Sequence, residues 1–146
     1  MKKSEEKKTK SVKLKNYSPN KKKVSLGKRN KQRGNEYERR IAKELTEIGF
    51  DVVTSRSESK SADANKVDVI DRSNKLPCQI QIKRTSSTPS YFKIRQESTV
   101  PNEDFALIWN KQKNVNGRFM SDGECVIIDK ELFYKLIKPY AENSIQ

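Results

Sequence analysis

The sequence contains no histidine. That absence removes Ser-His-Asp and Cys-His catalysis, histidine-based zinc sites and nucleases that take a proton with an imidazole. Cysteine is almost as scarce. Cys78 and Cys125 stand apart with no Cys-x-x-Cys pair, which predicts two free thiols in a reducing compartment. Also missing are a secretory apolar region and any apolar run approaching roughly 18 residues. The chain is therefore expected neither to be exported by a signal peptide nor to span a membrane. The cytoplasm of a bacterial, archaeal or virus-infected cell is the expected location, with a nucleus also open. Any bond-breaking chemistry has to come from carboxylates, amides, lysine and a hard cation.

Positive charge is abundant and uneven. The 146 residues carry a net charge of +13, and residues 1–33 hold 14 Lys/Arg against 2 acids. Residues 34–146 hold 18 Lys/Arg against 17 acids and are nearly neutral. The basic stretch has few apolar residues and no sustained period, so it cannot bury enough surface to offset the entropy of ordering. It reads as a disordered Lys-rich arm (1–33) ahead of a globular domain (34–146). Such an arm attracts polyanions through counterion release, without reading sequence. Nucleic acid is the favoured partner; a solubilising tail or a nuclear-import-like run is the alternative. A membrane surface fits less well, because the arm has no amphipathic apolar face.

The spacing predicts a helix over 35–48 that stops at Gly49. On it Tyr37, Ile41, Ala42, Leu45 and Ile48 share one arc, and Glu38 falls inside that arc. A carboxylate on the core-facing stripe is costly unless something satisfies it. A short strand is expected at 50–53, a polar loop at 54–66, a strand at 66–70, a hairpin-like turn at 71–75 and a strand at 77–84. In that last strand Ile80 and Ile82 share one face, while Gln79, Gln81 and Lys83 share the other. A short helix near 91–96 follows, with Tyr91 and Phe92 expected in the core. Strands are expected at 105–109, 118–120 and 124–128. Asp129 caps a last helix at 130–138, with Leu132, Phe133, Leu136 and Ile137 inward and Pro139 beyond its end. The order describes an α/β domain, a mixed sheet flanked by helices.

Taken singly, the polar residues of these strands have plain explanations. Asp68 can be an edge-strand acid, Gln81 and Lys83 the solvent face of a half-buried strand, and Glu38 the partner of a lysine. Together they form a pattern. The predicted hairpin brings Asp68 near Gln81 and Lys83, and a helix packed on the sheet can present Glu38 at the same end. That layout resembles the PD-(D/E)-x-K nucleases, which have the restriction endonuclease-like fold. The resemblance narrows on four segments: Gly34-Asn35-Glu36-Tyr37-Glu38-Arg39, Gly49-Phe50-Asp51-Val52, Val67-Asp68-Val69 and Ile80-Gln81-Ile82-Lys83. These look like the archaeal-type Holliday junction resolvases over about residues 32–85, with a looser echo to the terminal helix. By that resemblance Glu38 is the helix glutamate, Asp68 the bridging aspartate, Gln81 the second acid and Lys83 the lysine. The family's serine-bearing loop would fall within residues 55–59. The chain departs from the family in its longer loop, in lacking Pro before Asp68, and in carrying Gln81 where an acid is usual.

The resemblance implies a metal-dependent endonuclease acting on DNA, and the residues suit that chemistry. Hydrolysing a phosphodiester requires an activated water, neutralisation of growing negative charge and help for the leaving oxyanion, all within reach of Mg²⁺, with Mn²⁺ as a substitute. Mg²⁺ takes oxygen ligands. Asp68, the Gln81 amide oxygen and the Ile82 carbonyl can supply them, with Glu38 bound directly or through water. Lys83 can orient the water or stabilise the phosphate. Gln81 leaves two formal negative charges where the family has three, which weakens metal binding while retaining a ligand. Ser55, Arg56, Ser57, Ser59 and Lys60 of the loop are suited to phosphate contacts, as is Arg84. Arg33, at the end of the arm, and Arg39, on the first helix, join that surface. Branched DNA held by a homodimer is the expected substrate, since two opposed strands need two active sites. The alternatives are a restriction-like or repair endonuclease on duplex DNA, and a non-cleaving DNA-binding or packaging protein that kept the fold.

Overall fold

The computed structural model describes residues 25–58, 67–98 and 103–144. Helix α1 (Leu26–Ile48) begins at Leu26 rather than at position 35. Ser25 caps it, its side chain accepting from the Lys28 backbone N–H at 3.4 Å. Residues 26–32 are exposed, so no apolar period announces this extension; the Ser25 cap and the Leu, Lys, Arg and Gln residues favour it against Gly27 and Asn30. The last eight residues of the stretch expected to be a flexible arm are thus helical. Residues 1–24 of that arm lie outside the described residues. Tyr37, Glu38, Ile41 and Ala42 are the buried positions of α1, as the periodicity predicts.

Strand β1 (Val52–Thr54) is followed at once by a single helical turn, α2 (Ser55–Glu58), where a loop was expected. Strand β2 (Val69–Asp71) pairs antiparallel with β1. Strand β3 (Gln79–Thr85), helix α3 (Tyr91–Glu97) and strand β4 (Phe105–Val115) form a parallel crossover unit. Strand β5 (Arg118–Ile128) returns antiparallel to β4 and leads into helix α4 (Lys130–Asn143). Where one mixed sheet was expected, the strands form a two-stranded antiparallel sheet, β1-β2, and a three-stranded mixed sheet, β3-β4-β5, with α1 packed against both. No helix among the described residues is long and apolar enough to cross a membrane.

The pieces expected at 105–109, 118–120 and 124–128 are two long strands. Their distal halves carry polar residues on both faces, so alternation could not reveal them. Asn116 and Gly117, at φ 52° and 78°, make the two-residue left-handed turn a tight hairpin needs. Pairing passes from Asn110–Glu124 to Gln112–Ser121 across a bulge. Gly123, at φ 130°, takes the backbone shape this requires.

Two apolar clusters sandwich the sheet. Tyr37, Ile41 and Ala42 of α1 pack on Val52, Val69, Ile80 and Ile82. On the other face Tyr91 packs with Phe105 and Leu107, and its hydroxyl donates to the Phe105 carbonyl at 2.8 Å. Its neighbour Phe92 does not join this core. It is 74% exposed, because successive helical positions diverge by about 100° and only one of the pair can face the sheet. The last helix departs further from expectation. Leu132 alone is buried; Phe133, Leu136 and Ile137 remain exposed, since α4 leaves the sheet after its first turn. Pro139 lies inside α4 rather than beyond it. The Lys135 carbonyl that loses its intrahelical donor there belongs to an exposed residue within reach of water.

The turn between β2 and β3 is organised by one carboxylate. Asp71 accepts from the Ser73 hydroxyl at 2.6 Å and from the Ser73, Lys75 and Leu76 backbone N–H groups at 2.9, 2.6 and 2.7 Å. The Ser73 hydroxyl and then these backbone donors hold its carboxyl down at about 2, below the usual 3.8. A depressed acid adds stability above its unfolded value and loses it as pH falls through the folded one. Asp71→Ala should therefore lower the thermal midpoint at pH 7. The gap to the parent protein should close as pH falls from about 4 to about 2, and a pH-independent gap in thermal melts would refute this.

Candidate active site

Asp68 is where β1, β2 and β3 meet. Val67 and Val69 are buried on either side of it, which fixes its backbone. Its N–H donates to the Ile80 carbonyl at 3.1 Å, and its own carbonyl accepts from the Ser55 N–H at 3.0 Å. Its carboxylate oxygen Oδ2 accepts from the Ile82 N–H at 2.7 Å. The expected hairpin ladder between the second and third strands is absent, since β2 pairs with β1 instead. The Asp68 carboxylate occupies the place of a ladder carbonyl opposite Ile82. The turn that follows β2 is held by the Asp71 carboxylate through the Lys75 and Leu76 N–H groups. Ile80 and Ile82 present their peptide groups toward Asp68, so the Ile82 carbonyl opens on that same edge of β3.

Gln81 lies between them. It is only 6% exposed, as buried as Ile80 and Ile82 beside it. Both faces of β3 are covered here, so the alternation of Ile and Gln does not separate inside from outside. Gln81 Oε1 is buried with no hydrogen-bond partner among the described residues. An orphaned buried acceptor costs about 1–3 kcal/mol, and a donor or a cation relieves that cost. The Asp68 carboxylate, the Gln81 amide oxygen and the Ile82 carbonyl are all hard oxygens, a donor chemistry that suits a divalent ion such as Mg²⁺. Among the described residues no three His, Cys, Asp or Glu side chains converge on one point. A site here therefore depends on amide and backbone oxygens beside its acids.

Lys83 is next along the strand. It makes no ion pair among the described residues and opens into a groove of about 410 Å³ with Arg33 and Arg84. The Arg84 guanidinium donates to the Arg33 carbonyl at 3.3 Å, tying the end of β3 to the exposed start of α1.

Glu38 is buried at 6% exposure, and the structure supplies the partner its position requires. Arg56 on α2 reaches it with Nε at 3.1 Å from Oε2 and a terminal nitrogen at 3.5 Å from Oε1. Arg56, expected on a phosphate, thus turns inward to a carboxylate. Because Ser55 bonds Asp68 and Arg56 bonds Glu38, the single turn of α2 links the two acids. Breaking such a pair from one side leaves a buried charge, although half-exposure of Arg56 softens the loss. Arg56→Ala should cost about 1–2 kcal/mol in urea unfolding, and an unchanged midpoint would contradict the pairing.

The other residues singled out in the sequence are dispersed. Ser55 is almost fully buried and its hydroxyl has no partner among the described residues. Ser57 caps the local turn, its hydroxyl donating to the Thr54 carbonyl at 2.7 Å. Arg39 is exposed on α1. Ser59 and Lys60 lie outside the described residues. Burial pushes the Cys78 thiol up to about 11, so it stays protonated and offers no nucleophile. Phe119 and Gln112, which line the groove with Lys83, were missed. The only signal for them was a long polar stretch ending in Asn-Gly.

A model of the archaeal Holliday junction resolvase family (hjc) matches residues 29–132. The match runs from the start of α1 to the first turn of α4 and contains Glu38, Asp68, Gln81 and Lys83. Neither the curated proteins nor the solved structures include a match to the chain. The sheet order, the position of Asp68 against the Gln81-x-Lys83 strand and the extent of the family match lead to one conclusion: the chain belongs to the archaeal Holliday junction resolvase family, within the restriction endonuclease-like superfamily.

Proposed function

We propose that this protein is a divalent-metal-dependent endonuclease that resolves four-way DNA junctions. Membership of a resolvase family supports a nuclease acting on DNA. The observation that carries the finer reading is the Asp68 carboxylate locked to the Ile82 N–H beside a buried, unpartnered Gln81 oxygen. Asp68, Gln81 and the Ile82 carbonyl would hold the ion, with Glu38, whose carboxylate Arg56 holds, as a further acid near the site. Mg²⁺ or Mn²⁺ bound there supplies the Lewis acidity and the activated water that hydrolysis needs.

The chain's own groups do the rest. The Ile82 N–H holds Asp68 in one orientation, so no reorganisation is needed when charge develops. Lys83 donates to a non-bridging phosphate oxygen and balances the charge of the pentavalent centre. Burial of Gln81 and the flanking valines keeps bulk water from the ligand side, which strengthens each charge interaction. Two copies act together, one on each opposed strand of the junction.

The basic residues 1–24, with ten lysines, add affinity without sequence preference. Their deletion should flatten the dependence of log K on log salt by about 0.9 per lost phosphate contact. An unchanged slope in an anisotropy titration would assign the salt dependence to the domain alone. A second reading, a DNA-binding protein that no longer cuts, is favoured by Gln81 and by the Arg56 guanidinium on Glu38. Labelled four-way junction and linear duplex, each incubated with Mg²⁺, separate the readings. Paired symmetric nicks in the junction alone support resolution. Equal cutting of duplex points to a restriction-like or repair enzyme.

A further inference from the structure

The groove that receives Lys83 continues along the protein away from Asp68. One wall is the exposed start of α1, with Arg33 and Gly34; the floor is the end of β3, with Arg84; the far wall is the β4–β5 hairpin, with Gln112 and Phe119. No carboxylate lines it. Arg33, Lys83 and Arg84 make no ion pair among the described residues, whereas Lys111 and Lys113 on the same hairpin share the Asp122 carboxylate at 3.4 and 2.9 Å. The groove is therefore a site of uncompensated positive charge. Against it stands an aromatic ring, for Phe119 is 39% exposed. Phe119 pairs in register with Asn114 across the hairpin.

Cations beside an exposed aromatic ring match the chemistry of a nucleic acid strand, with phosphates for the cations and a base for the ring. Within a continuous duplex each base is already covered by its neighbours, and Phe119 has nothing to stack upon. At a branch point the stacking is interrupted and a base face becomes free. We propose that this groove holds one DNA strand at the branch point. Arg33, Lys83 and Arg84 take its phosphates, and Phe119 stacks on the base exposed there. Phe119 is then the residue that distinguishes a branched from a linear substrate. The inference rests on the junction-resolving reading and adds to it the place where the branch is sensed.

The test measures affinity by fluorescence anisotropy in EDTA at one fixed salt concentration, for a four-way junction and a linear duplex of matched length. Phe119→Ala should weaken junction binding by about tenfold and duplex binding by less than about twofold, with the far-UV circular dichroism unchanged. Phe119→Leu, which keeps apolar bulk without a π face, should lose the same factor, and Phe119→Trp should restore it. Equal weakening on both DNAs, no weakening, or full binding by Phe119→Leu overturns the stacking role while leaving the resolvase reading intact. Wild-type protein with equal affinity for junction and duplex overturns the branched-substrate reading, and this inference with it.

Discussion

Asp68→Asn is expected to reduce cleavage of a four-way junction by at least about a thousandfold while leaving its affinity for that junction in EDTA within a factor of two. The separation follows from the two tasks of this side chain. As a structural group it accepts the Ile82 N–H at 2.7 Å, and an asparagine oxygen can still accept that bond. As a chemical group it is the proposed anionic ligand of the metal, and asparagine removes that charge. Single-turnover rates and anisotropy titrations read the two effects independently. If both fall together, with a loss of thermal stability, Asp68 acts mainly as the clasp between β1, β2 and β3. If neither changes, the candidate site has been placed on the wrong residues.

Gln81→Glu carries the second large effect, and its sign depends on metal. Without divalent ions the substitution puts a second carboxylate next to Asp68 in a place where Gln81 is almost fully buried. Desolvation and like charge both act against ionisation. The variant should unfold about 1–3 kcal/mol more easily than the parent in EDTA. With Mg²⁺ present the added charge faces a cation, and the Mg²⁺ concentration at half-maximal cleavage should fall by about tenfold. Urea melts with and without Mg²⁺, together with a metal titration of the cleavage rate, check both halves. A destabilisation that Mg²⁺ leaves untouched would remove Gln81 from the ligand set.

Much of this arrangement was legible in the sequence, for identifiable reasons. Glu38 is buried because the helical period placed it among Tyr37, Ile41 and Ala42, and that period survives folding. The sequence placed Asp68 against the Gln81–Lys83 strand by a hairpin; the structure brings it to that strand through the Ile80 and Ile82 peptide groups instead of through a hairpin ladder. What stayed hidden depends on groups without a period. Arg56 sits in a polar run with no apolar face, so nothing in the sequence announced the single turn of α2 or its pairing with Glu38. The Asp71 carboxylate organises its turn through side-chain bonds, and β2 pairs with β1, neither of which a pattern of apolar residues displays. The distal hairpin is polar on both faces, and its length rests on backbone pairing and an Asn-Gly turn that hydrophobic alternation cannot register. In α4 the reverse happened. The amphipathic stripe was real, yet Leu132 is the one residue of α4 that is buried among the described residues.

The account turns on whether the oxygens around Asp68 and Gln81 hold a catalytic cation. The most direct measurement is the single-turnover cleavage rate of a labelled four-way junction by the wild-type protein across a Mg²⁺ titration, with EDTA as the zero point. The account predicts a rate that rises and saturates with Mg²⁺, is also supported by Mn²⁺ and is abolished in EDTA. Tight junction binding with no cleavage at any Mg²⁺ or Mn²⁺ concentration, or cleavage that persists undiminished in EDTA, would contradict it.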